Sequence, residues 1–114
     1  MPNQSPPLDR LFQALACPAR RRIVERLTRG SASVTELAEP LDMALPSVMQ
    51  HLGVLEKSGL IRSDKVGRVR TCRIDPAALA QMEIWISEQR AIWEARLDRL
   101  DEYVKNLPRE GADE

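Results

Sequence analysis

Apolar residues return every third or fourth position along most of this chain, and prolines and glycines mark where the recurrence stops. Leu8, Leu11, Phe12 and Leu15 predict a short amphipathic helix that begins after Pro6-Pro7 and ends near Cys17-Pro18. Pro18 suits the first turn of a second helix. Its apolar face is Ile23, Val24 and Leu27, its polar face is largely Arg20, Arg21, Arg22 and Arg26, and Gly30 is its expected stop. Ser33-Val34-Thr35-Glu36 has the form of a capping box, in which each end side chain satisfies a free backbone N–H at a helix start. Pro40 limits that third helix to about two turns. After the connector Asp42-Met43-Ala44-Leu45, Pro46 takes the first position of a fourth helix that Gly59 closes. Val48, Leu52 and Leu55 line its inner face; Ser47, Met49, Gln50 and Gly53 are left outside.

The period then changes. Residues 60–65 and 69–74 alternate roughly and flank Val66-Gly67-Arg68, which predicts a β-hairpin with a cationic tip. Asp75-Pro76 supplies an N-cap and a first-turn proline for the longest periodic segment, 77–107. Leu79, Met82, Ile86, Trp93, Leu97, Leu100, Val104 and Leu107 step along it by threes and fours, with Gln89 at one seam position; Trp85, Ile92 and Tyr103 widen the stripe. A helix of about 31 residues is about 46 Å long, whereas a monomer of this length is about 34 Å across. It is expected to overhang its own core. No Gly or Pro interrupts it to permit folding back, so a second copy is the expected cover for the exposed stripe.

With 114 residues, 43% apolar and 30% charged, one mainly α domain with a small β-hairpin is expected over 8–107. Residues 1–7 and the acidic 108–114 are expected to be flexible. No apolar run is long enough to span a bilayer and the start is polar and proline-rich, so a soluble, cytoplasmic protein is expected. Cys17 and Cys72 form no Cys-x-x-Cys pair and are expected to be free thiols. The formal net charge is zero, but its distribution is uneven: residues 1–76 hold 12 Lys and Arg against 8 Asp and Glu, and the remainder holds 5 against 9. Within 43–73, Lys57, Arg62, Lys65, Arg68, Arg70 and Arg73 face only Glu56 and Asp64, an excess suited to an anionic partner.

The order of elements resembles a winged helix-turn-helix protein, and particular stretches resemble ArsR-type bacterial transcriptional regulators. These are Phe12-Gln13-Ala14-Leu15-Ala16-Cys17-Pro18-Ala19-Arg20-Arg21-Arg22-Ile23, then Val34-Thr35-Glu36-Leu37-Ala38, then 46–60 with Gln50-His51-Leu52, Val54-Leu55 and Ser58-Gly59-Leu60-Ile61. Each is weak alone; their order and spacing carry the resemblance over 8–107. It implies a homodimer joined through its first and last helices, with Leu8, Leu11, Phe12, Trp85, Ile86, Trp93, Leu97, Leu100 and Val104 at the interface. It also implies that the fourth helix enters the major groove of double-stranded DNA while the wing follows the backbone. Pro46, Ser47, Met49, Gln50 and His51 are then the candidate DNA contacts on the helix, and Lys65, Arg68 and Arg70 those on the wing. Gln50 can pair bidentately with adenine, and Met49 offers an apolar contact such as a thymine methyl. Many relatives have serine at the position of Met49, so the preferred sequence is expected to differ. Arg20, Arg21 and Arg22 are weaker candidates for phosphate, since relatives use such arginines for internal ion pairs.

The same family contains metal sensors, but the stretch Glu36-Leu37-Ala38-Glu39-Pro40-Leu41 lacks the Cys-x-Cys of soft-metal sites, and the only histidine, His51, lies outside the last helix. No metal and no cofactor are expected, and no membrane partner; the small-molecule effector is left open. No phosphate loop, metal cluster or nucleophile motif points to an enzyme. A regulator, most simply a repressor on an inverted-repeat operator, is the expected function. The alternatives are a protein-interaction scaffold that does not read DNA, and a redox-responsive regulator using Cys17, whose thiol sits beside Arg20 and Arg21.

Overall fold

A computed structural model describes residues 7–108; all of the expected flexible termini except Pro7 and Pro108 lie outside the described residues. In chain order the elements are α1 (Leu8–Ala14), α2 (Pro18–Leu27), β1 (Ala32–Ser33), α3 (Val34–Ala38), a 3-10 turn (Glu39–Leu41), α4 (Leu45–Ser58), β2 (Ile61–Val66), β3 (Val69–Ile74) and α5 (Pro76–Lys105). The helices form where the 3.6-residue period ran, and the chain divides into two units, one ending at Met82 and one beginning at Glu83. No helix among the described residues is long and apolar enough to cross a membrane.

The first unit is built around Leu11, Ile23, Leu37, Val48, Leu52, Leu55, Leu60, Ile61 and Cys72, all essentially inaccessible, to which α5 adds Ala78 and Met82. Truncating such a side chain to alanine costs about 2–5 kcal/mol. Because α1 has only seven residues, it has a single apolar side to bury. Leu11 at 0% exposure lies wholly in the core and has no surface left for a partner, contrary to its expected place at the interface.

The hairpin is part of a three-stranded antiparallel sheet in the order β1-β3-β2. β1 was not expected. It pairs Ala32 with Cys72 and Ser33 with Thr71, and two residues are too few to show alternation. The wing turn is shorter than expected: Val66 pairs with Val69, leaving only Gly67-Arg68 between strands. Gly67 has φ +65, the left-handed conformation that a two-residue hairpin turn requires at its first central position. Leu60, expected in the strand, is instead a buried turn residue.

Helix ends follow the polar signals. Ser33 accepts the Glu36 N–H at 3.2 Å while the Glu36 carboxylate accepts the Ser33 N–H at 2.9 Å, so the last residue of β1 also starts α3. Asp75 caps α5 by accepting the Ala77 N–H at 3.0 Å. At the end of α4, buried Ser58 donates to the Leu55 carbonyl and accepts the Leu60 N–H, and Gly59 at φ +88 turns the chain into β2. The start of α4 departs from expectation by one residue: Leu45 opens it and Pro46 takes the second position, where its missing N–H also costs nothing.

Ser33→Ala should lower unfolding free energy by about 1 kcal/mol in urea titrations. The Ser33 N–H and hydroxyl, helped by Arg26, hold the Glu36 carboxyl below its ordinary range. A depressed carboxyl stabilises the fold above its unfolded pKa and loses that contribution as pH falls through its folded value. The stability difference between the wild type and Glu36→Gln should therefore be largest at neutral pH and shrink on acidification through and below the carboxylate range.

Candidate nucleic-acid interface

α4 is held by one side. Val48, Leu52 and Leu55 are fully buried, which turns Met49 and Gln50 to solvent and leaves Ser47 and Gly53 half-buried at the edges of the outward face. Pro46 is exposed in the first turn. Leu45 joins them: at 52% exposure it stands one turn before Met49, at 37%, so two apolar side chains share one flank of the helix start. Leu45, expected in the connector, belongs to the helix because a proline is as well tolerated at the second helical position as at the first.

The wing is tied to α4 by a polar network. Arg70 donates to the Glu56 carboxylate and, through Nε, to Ser63 Oγ at 3.0 Å; Ser63 in turn donates to Glu56 Oε1 at 2.6 Å. Arg70, expected to contact DNA, is thus committed to joining β2, β3 and α4. The signal was present in the strand period, because Arg70 shares a face with Cys72 and Ile74. Arg62 pairs with Asp75 at 3.1 Å and Arg73 with Asp64 at 3.3 Å. Among the described residues, Lys65 and Arg68 have no hydrogen-bonded or ionic partner, and both are exposed. Three of the six cations within 43–73 are thus paired internally, and the open charge is concentrated at the wing tip and at Lys57.

The arginines of α2 satisfy carbonyls that helix ends and turns leave without partners. Arg20 donates to the Ala14 and Gln13 carbonyls at 2.6 and 3.2 Å, Arg21 to Leu15 at 2.8 Å, and Arg22 to Pro40 at 2.8 Å. Neither phosphate contacts nor internal ion pairs describe these bonds. Arg20 also lies 3.4 Å from Nδ1 of His51, so the half-buried His51 ring is engaged on the inner flank of α4.

Cys17, half-buried at the N-cap of α2, has its thiol pKa lowered chiefly by the Arg20 backbone N–H, with further help from the Ala19 N–H and the charges of Arg20 and Arg21. Burial, with the charge of Glu56, raises that of Cys72. No group of three potential metal ligands occurs among the described residues.

Of the side chains expected to join two copies, Phe12, Trp85, Ile86, Trp93, Leu97, Leu100 and Val104 are exposed, and Leu8 is half-buried against the core. From Glu83 onward, every described residue of α5 is exposed.

Residues 15–64 match the family model described as a helix-turn-helix domain. The chain is 45% identical over 74 residues to the HTH-type transcriptional regulator Rv2034 of Mycobacterium tuberculosis, covering 65% of this chain and 69% of that protein. It is 32% identical over 101 residues to the arsenical resistance operon repressor of Escherichia coli, covering 88% and 84%. Among solved structures, an ArsR family transcriptional regulator, RHA00566, superposes with a TM-score of 0.73 at 54% identity, covering 76% of this chain and 96% of that one.

Glu56→Gln should weaken the charge holding Arg70 while preserving the fold, with a stability loss of about 1 kcal/mol for a half-buried pair. Backbone 15N relaxation should then show increased mobility in residues 63–70; an unchanged profile would mean that the network does not restrain the wing.

Proposed function

The chain belongs to the ArsR family of winged helix-turn-helix, DNA-binding transcriptional regulators, and we propose that it acts as a homodimeric repressor of an inverted-repeat operator. The observation that carries this reading is the pairing of a one-sidedly anchored α4 with a wing whose open cations are Lys65 and Arg68. In this arrangement α4 enters the major groove. Gln50 presents an amide able to bond N6 and N7 of adenine, Met49 meets a thymine methyl, and Ser47 offers a hydroxyl to either a base or a phosphate. Lys65 and Arg68 take phosphate or the minor groove beside it.

The dimer follows from α5. Trp93, Leu97, Leu100 and Val104 are large, apolar and exposed at three- and four-residue spacing, and a contiguous stripe of this kind is costly to leave in water. A second α5 covers it by symmetry, since one self-complementary patch serves both copies. Two α4 helices related by a twofold axis would address half-sites about 34 Å apart. Bound across a promoter, the dimer would repress by excluding polymerase. The reading is non-enzymatic, in keeping with relatives named as regulators.

Selection from a random duplex pool should return a palindrome. Gln50→Ala should relax preference at one position per half-site by about 1–3 kcal/mol, whereas Arg68→Ala should weaken every sequence alike and reduce the salt slope by about 1. An unchanged motif with Gln50→Ala would sink the assignment of Gln50. In sedimentation at micromolar concentration the wild type should have twice the mass of one chain, and Trp93→Asp with Leu97→Asp should have the mass of one.

A further inference from the structure

A cleft of about 550 Å³ opens between α1, α2 and α4, a volume within the range of about 300–1,000 Å³ typical of small-molecule sites. Each helix contributes one cation: Arg10, Arg20 and Lys57. The remaining lining is Gln13, Ala14, Val54 and Ser58, with no carboxylate among them.

The three cations are not equivalent. Arg20 is fixed by its bonds to the Ala14 and Gln13 carbonyls and by His51, so it supplies charge from a set position. Arg10 and Lys57 have no hydrogen-bonded or ionic partner among the described residues, and their N–H donors are open. The Ser58 hydroxyl is already satisfied by Leu55 and Leu60. Val54, 38% exposed, is the accessible apolar side chain of the lining, since Ala14 keeps only 1% of its surface.

Three like charges around one opening repel one another, and an anion relieves that repulsion while offering acceptors to the two open side chains. Duplex phosphate is one source, because Lys57 lies two turns beyond Gln50 on the same side of α4. A phosphodiester, however, makes no use of the exposed apolar Val54. We propose that this cleft is a binding site for a small organic anion, its carboxylate or phosphate held between Arg10 and Lys57 in the field of Arg20 and its apolar body laid against Val54.

The test uses the full chain without DNA, at constant ionic strength, titrated with benzoate, phenyl phosphate and the neutral benzamide while 1H–15N spectra are recorded. Benzoate and phenyl phosphate should saturably shift amides in residues 10–14 and 54–58, and benzamide should bind at least about tenfold more weakly, as expected when charge-assisted hydrogen bonds are lost. Arg10→Gln with Lys57→Gln changes two exposed side chains and should keep the fold while reducing anion affinity at least about tenfold. Absence of saturable anion binding, equal binding of benzamide, or undiminished binding by the double variant would each overturn the site. If the wild type ignores both organic anions and the double variant weakens all duplexes alike, the cations serve DNA phosphate and the proposal fails. Because the titration contains no DNA, it is decided separately from the operator reading.

Discussion

The one-sided burial of α4 governs the rest of this molecule. Val48, Leu52 and Leu55 occupy the core so completely that rotation of the helix about its axis would expose apolar surface on one side and force Gln50 or Gly53 inside on the other. Hydrophobic burial is non-directional in itself, but the helical period converts it into an orientation. With that orientation set, the identity of the outward residues becomes a matter of recognition chemistry, free of the demands of folding.

Charged residues near this helix divide into two populations. Arg20, Arg21, Arg22 and Arg70 are engaged, three on carbonyls and one on the Glu56–Ser63 pair. Lys57, Lys65, Arg68 and Arg10 are open. A net charge of zero conceals this division, because the engaged cations contribute to the count without contributing much to the field that an incoming polyanion meets.

The helices, the capping box and the inner face of α4 were legible because each follows from a period or a local hydrogen-bonding rule that needs no knowledge of distant residues. The roles of the arginines were less so. A guanidinium donates to carbonyls, carboxylates and phosphates alike, and which one lies within reach is decided by tertiary packing. Arg70 shows the intermediate case: its strand face pointed inward, yet its partner, 14 residues away, was set only by the approach of β3 to α4. β1 was too short to display alternation, and Leu11 illustrates that a seven-residue helix gives one apolar stripe without saying whether core or partner claims it. Leu45 was not legible as a helical residue because Pro46 fits the first and second helical positions equally well.

The two thiols are placed to report different events. Cys17 stands half-accessible at a helix start, where a modifying reagent can meet it without disturbing the fold, while Cys72 is sealed at the centre of the middle strand. A reagent reaches Cys72 only when the sheet parts from the helices. Alkylation of the first is therefore a measure of surface chemistry, and alkylation of the second is a clock for how often the whole domain comes apart.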